Sequence, residues 1–70
     1  MDRQAVRSKD IAIVGYDSKK NLLEVTFRAG GVYHYMNVPV HVYQKFIQAE
    51  SQGTFFNREI KDAYPYIKIS

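Results

Sequence analysis

The chain has no cysteine. That absence excludes disulfide cross-links and thiolate metal ligands, and it fits the reducing cytoplasm in which we expect the protein to reside. Long apolar runs are missing too. Nothing approaches the roughly 18–20 consecutive residues that a membrane span requires, and Met1-Asp2-Arg3-Gln4 does not open a secretory signal. Repeats, low-complexity tracts and linkers are equally absent. Histidine is scarce: His34 and His41 stand without a helical HExxH pair, so no metal site is expected and both read as surface residues. No Gly-x-Ser-x-Gly elbow surrounds Ser51, whose hydroxyl is expected to bond the backbone in the last turn of a helix. Gly30-Gly31 joins two strand-like segments rather than opening a phosphate-binding helix. These absences point away from an enzyme and from any cofactor, and toward a binding domain.

With 70 residues there is room for one domain. A domain of this size buries only about 60% of the surface its unfolded chain exposes, so the core must be compact. A net charge of +3 accompanies six tyrosines and four phenylalanines. Basic residues interleaved with rings suit contact with unpaired bases and phosphates, and the same rings suit a protein interface.

The strongest local signal is an amphipathic helix from Val38 to Gly53. Pro39 suits a first helical turn, and Gly53 can take the left-handed conformation that ends one. At about 100° per residue, Val42, Tyr43, Phe46, Ile47 and Ala49 share one arc, while His41, Gln44, Lys45, Gln48 and Gln52 lie opposite. Glu50 falls inside the apolar arc near the helix's negative end, which calls for a partner; Arg58 or a tyrosine hydroxyl is expected to supply it.

Before this helix, Ile11 to Tyr16 is short and rich in β-branched residues, and Asp17 to Asn21 supplies a turn. Leu22 to Arg28 alternates, with Leu23, Val25 and Phe27 on one face and Glu24, Thr26 and Arg28 on the other. Val32 to Met36 follows as a third strand. A two-residue Ala29-Gly30 loop would turn Tyr33 and Tyr35 to the wet face. A three-residue loop with Gly30 left-handed would oppose Val25 to Tyr33 and Leu23 to Tyr35 and turn both rings inward. We expect the second, because it uses Gly30 where glycine alone is comfortable and leaves His34 among polar neighbours. Residues 1–7 read as a flexible, basic arm and 8–70 as a single domain. After Gly53, Phe55 and Phe56 should be largely buried, Asn57 should cap a short helix from Arg58 to Tyr64, and Tyr66 to Ile69 has the composition of a short last strand.

Tyr33-His34-Tyr35, Val38-Pro39, Val42-Tyr43, Ala49-Glu50-Ser51-Gln52-Gly53 and Phe55-Phe56-Asn57-Arg58, with Ile60 and Tyr64, together resemble the KTSC domain, named for the C-terminus of some lysyl-tRNA synthetases. The resemblance runs from about Ser8 to Tyr66 and implies a domain standing alone. Its attachment to a tRNA enzyme is the ground for a suggested RNA-binding role.

The expected fold is therefore α+β: a three-stranded antiparallel β-meander packed by one main helix, with a short second helix and a short C-terminal strand. The expected function is a protein-interaction module, self-association included. The alternative is RNA or single-stranded nucleic-acid binding, with Lys19, Lys20, Arg28 and His34 contacting phosphates and Tyr33 or Tyr35 stacking on a base.

Overall fold

The computed structural model describes residues 1–70. Five antiparallel strands lie side by side in chain order: β1 (Asp2–Ala5), β2 (Ile11–Asp17), β3 (Leu22–Phe27), β4 (Val32–Tyr35) and β5 (Tyr66–Lys68). Between β4 and β5 the chain forms α1 (Val40–Gln48) and α2 (Gln52–Phe55), and α2 runs directly into a widened π-helical turn over Phe56–Ile60. The class is α+β, but the three-stranded meander is corrected to a five-stranded sheet. The short C-terminal strand is present and pairs with β4. The strand that sequence patterning missed is β1, in the segment read as a flexible arm. Its four residues are exposed, so no alternation of dry and wet positions marks it; its ladder to β2 from Asp2↔Tyr16 to Ala5↔Ile13 holds it.

Alternation places the core on one face of this sheet. Val14, Leu23, Val25 and Tyr35 are buried there against Val38, Phe46, Phe56 and Ile60. Ile11 joins them through a bulge. It pairs with Phe27 whereas Ile13 pairs with Thr26, so Ala12 is extra and Ile11 and Val14, three apart, both reach the core. The β3–β4 register is the expected one, Leu23↔Tyr35 and Val25↔Tyr33, with Gly30 at φ +112° in the loop. Tyr35 is therefore buried and Tyr33 half-buried, both on the helical side.

The main helix lays its expected face on the sheet, with Phe46 fully buried and Val42, Tyr43 and Ile47 packed around it. Burying a phenylalanine side chain stabilises by about 1.5–3 kcal/mol. Tyr43 stacks on Tyr16, centroids 4.6 Å apart, and the Tyr16 hydroxyl donates to the Val38 carbonyl.

The helix ends sooner than its periodicity suggests. Pro39 is the N-cap, in extended conformation, and the last helical residue is Gln48; Ala49 is already extended. Gly53 is thus no helix stop. It lies inside α2, where an added Cβ would sit 3.4 Å from Asp10 Oδ2 and 3.6 Å from Ser8 Oγ, so its missing side chain lets α2 come close to the 8–10 segment. The hydroxyl of Ser51 does bond the backbone, but at a helix start: it accepts from the Thr54 N–H and caps α2. The second helical segment therefore begins at Gln52 and already includes Asn57, which is not its cap. Phe56 is buried and Phe55 half-buried.

Candidate functional site

The uncovered face of the sheet carries a row of paired residues that crosses all five strands: Arg3, Gly15, Glu24, His34 and Ile67. Glu24 is only 6% exposed and is the one buried charged residue. Arg3 reaches it from two strands away, donating from Nε at 2.6 Å and from a terminal nitrogen at 3.2 Å. His34 Nε2 lies 2.9 Å from Oε2, the carboxylate oxygen that also accepts from the Arg3 terminal nitrogen. An ionised carboxylate only accepts, so Nε2 carries the proton. The Arg3 hydrogen bonds hold the Glu24 carboxyl down at about 2, against the opposing effect of burial and with a smaller contribution from His34. Gly15, between Arg3 and Glu24, makes the reach feasible. A Cβ there would lie 3.1 Å from Arg3 Cγ and 3.2 Å from the Asp2 carbonyl oxygen.

On the helical side, a cavity of about 490 Å³ opens where the β3–β4 hairpin, β5 and the π-helical turn meet. Phe27, Tyr33, Tyr35, Phe56 and Tyr66 give it aromatic walls. The rings form a contiguous set: Tyr35 to Tyr66 is 5.2 Å, Tyr33 to Tyr66 is 5.9 Å, and Phe27 meets both Tyr33 and Phe56 edge-on at 5.4 and 5.5 Å. Asn57 and Lys61 of the helical turn, with Asp62, Lys9 and Asp10, supply polar groups. Burial, then the neighbouring Tyr66, Tyr33 and Asp62, push the Tyr35 phenol up to about 12, so it stays protonated and able to donate a hydrogen bond. Its volume falls within the 300–1,000 Å³ typical of binding pockets, and π-helical turns such as the one beside it occur frequently at functional sites.

The six residues expected at a nucleic-acid surface fall into four places. Lys19 and Lys20 are exposed in the β2–β3 turn. Arg28 lies at the opposite end of β3, roughly 20 Å away at about 3.4 Å per residue, and there it donates to the carbonyls of Ser8 and Val6. His34 is on the uncovered face with Glu24, while Tyr33 and Tyr35 are in the cavity wall. Only these two tyrosines are brought together. The expected Glu50–Arg58 ion pair is not formed. Glu50 lies beyond the end of α1 and is exposed, so it needs no partner, and Arg58 meets Glu59 at 3.4 Å. Sequence reasoning missed Arg3, Gly15 and Glu24 on one face, and Phe27, Phe56, Asn57, Lys61 and Tyr66 as cavity walls. No group of three or more His, Asp or Glu side chains is placed to hold a metal, and no helix is long and apolar enough to cross a membrane.

A small antiparallel sheet covered on one face by a broken helical layer, with an aromatic cavity at one end, is the class of domain these features define. The family model for the KTSC domain matches residues 7–64, and the chain belongs to that family. It is similar to an uncharacterized protein of Stutzerimonas stutzeri, 39% identical over 70 residues and covering 99% of both chains. A lysine–tRNA ligase of Trichormus variabilis is 34% identical over 55 residues, which are 79% of this chain and 10% of that protein. Among solved structures, the crystal structure of KTSC domain protein YPO2434 from Yersinia pestis matches with a TM-score of 0.96 and 40% identity, covering 99% of this chain and 97% of that one.

Proposed function

We propose that this KTSC domain is a protein-interaction module that holds a side chain of its partner in the aromatic cavity. The observation that carries the reading is the cavity's make-up: an aromatic floor with two lysines, Lys9 and Lys61, and two aspartates, Asp10 and Asp62, around it. An apolar centre with a mixed polar rim is the anatomy of a protein-binding hot spot. A nucleic-acid groove draws its affinity from a surplus of positive charge along the backbone path. Here the charges at the cavity balance, two lysines against two aspartates. Tyr33, Tyr35, Phe56 and Asn57, four of the residues that carry the family resemblance, line this cavity. Binding rather than catalysis is the reading because the one assembled charged cluster, Arg3–Glu24–His34, sits on the other face of the sheet, away from the cavity.

The test is affinity capture from a bacterial extract by the wild-type domain and by Tyr66→Ala, with and without nuclease. Tyr66 is 53% exposed, so its truncation leaves the core intact. A specific protein captured by the wild type, resistant to nuclease and lost with Tyr66→Ala, is the expected result. Capture abolished by nuclease, or indifferent to Tyr66→Ala, overturns the reading, and the former favours RNA.

A further inference from the structure

We infer that the outer edge of β5 is a docking edge for an extended segment of the partner protein, which adds to the sheet as a sixth strand and delivers a ring to the mouth of the cavity. This rests on the cavity being a protein-binding site, as proposed above. The ladder determines which backbone groups of β5 are free. Facing β4, Met36 N–H donates to Pro65 O and Ile69 N–H to Val32 O, and Ile67 pairs with His34 between them. Antiparallel hydrogen bonding alternates along a strand, so residues 65, 67 and 69 bond inward, and the N–H and C=O groups of Tyr66 and Lys68 point outward. β5 ends the strand order, so no further strand of this chain takes them up.

Side chains follow the same alternation. Tyr66 and Lys68 stand opposite Tyr35 and Tyr33 on the cavity face, and Ile67 stands on the uncovered face. Tyr66 and Ile67 are 53% and 55% exposed. Lys68 is in no ion pair of the chain. An edge strand with free backbone groups and exposed apolar side chains invites pairing, and here only one lysine opposes it. The occupant is thereby specified. An antiparallel segment, the orientation of every pair in this sheet, meets Lys68 first, Ile67 next and Tyr66 last. It should present an acidic residue to Lys68, a β-branched apolar residue to Ile67 and an aromatic residue to Tyr66, whose exposed ring borders the cavity.

The test uses synthetic ten-residue peptides with a central Glu-Val-Tyr flanked by threonines, titrated into the 70-residue chain by calorimetry. Lys68→Pro removes an outward N–H while leaving the inward bonds of Ile67 and Ile69, a position where an edge strand tolerates proline; Lys68→Ala keeps the N–H as the control for fold and charge. Lys68→Pro should weaken binding about tenfold relative to Lys68→Ala. Lys68→Glu should weaken Glu-Val-Tyr about threefold and strengthen Lys-Val-Tyr by a similar factor. Equal affinity for Lys68→Pro and Lys68→Ala, absence of the charge reversal, or no binding of Glu-Val-Tyr to the wild type overturns the docking edge. The cavity reading has its own readout: N-acetyl-tyrosinamide shifting the amide resonances of cavity residues in the Lys68→Pro protein leaves that reading standing when the edge fails.

Discussion

Replacing Gly15 by alanine isolates the row that crosses the uncovered face. The ordinary expectation is a gain: at a backbone conformation open to all residues, glycine to alanine stabilises by about 0.4–1 kcal/mol through the unfolded chain. Gly15 is not among the positive-φ glycines, so that gain applies. Opposing it, the new Cβ would meet Met1 Sδ at 2.9 Å, Arg3 Cγ at 3.1 Å and Asp2 O at 3.2 Å. Met1 can swing aside, but the other two belong to β1 and to the side chain that serves Glu24. Displacing the Arg3 guanidinium leaves a buried carboxylate short of partners, a loss of about 1–2 kcal/mol after allowing for solvent on the Arg3 side. The net expectation is a destabilisation of about 0.5–1 kcal/mol, a lowering of the melting temperature by several degrees in a domain this small. Urea denaturation of the wild type, Gly15→Ala, Glu24→Gln and the double variant reads this directly. With Glu24→Gln already present, Gly15→Ala should cost less than it does alone, because both act through the same contact. Equal costs in both backgrounds, or a stabilised single variant, would refute the role given to Gly15.

Glu24 also makes stability depend on pH. Its folded value of about 2 lies below the ordinary 4.5, so its contribution is complete above about pH 4.5 and is lost as pH falls from there toward 2. Denaturation midpoints measured down that range should fall more steeply for the wild type than for Glu24→Gln; parallel curves would contradict it. Phe46→Ala should cost about 3–5 kcal/mol, as much as a core this small usually provides, and leave the protein largely unfolded by circular dichroism. A cooperative transition with an unchanged midpoint would mean that α1 faces the wrong way. Glu50→Ala should shift stability by no more than about 0.5 kcal/mol, since the carboxylate is exposed. A larger loss on denaturation would restore the structural pair that the fold denies.

What the sequence made legible was whatever local pattern controls. Period-two alternation from Leu22 to Phe27 and a glycine that tolerates φ +112° together determined the β3–β4 register, and with it the side of the sheet on which Tyr33 and Tyr35 lie. The helical arc around Phe46 was equally plain. The errors lie where tertiary pairing replaces pattern. β1 is exposed along its length and has no buried face to announce it. The apolar arc carried on through Ala49, although Ser51 with Thr54 three residues later was a cap signal for a new helix, and the misplaced boundary put Glu50 on a buried face. Glu24 read as one of three wet-side residues because its neighbours come from β1, β2 and β4, and no spacing within one segment shows that Gly15 leaves room for Arg3. The cavity draws its walls from the hairpin, the helical turn and β5, so its rings could be counted in the sequence but not assembled.

The most direct measurement is a ¹⁵N–¹H correlation titration of the wild-type domain with N-acetyl-tyrosinamide at millimolar concentration, run beside mixed single-stranded RNA at low salt. If the cavity takes a partner's side chain, the amide resonances of Phe27, Tyr33, Asn57, Lys61 and Tyr66 shift with saturation, and those of Lys19 and Lys20, in the β2–β3 turn, stay in place. Unmoved cavity resonances, together with RNA-induced shifts at Lys19, Lys20 and Arg28, would contradict the account.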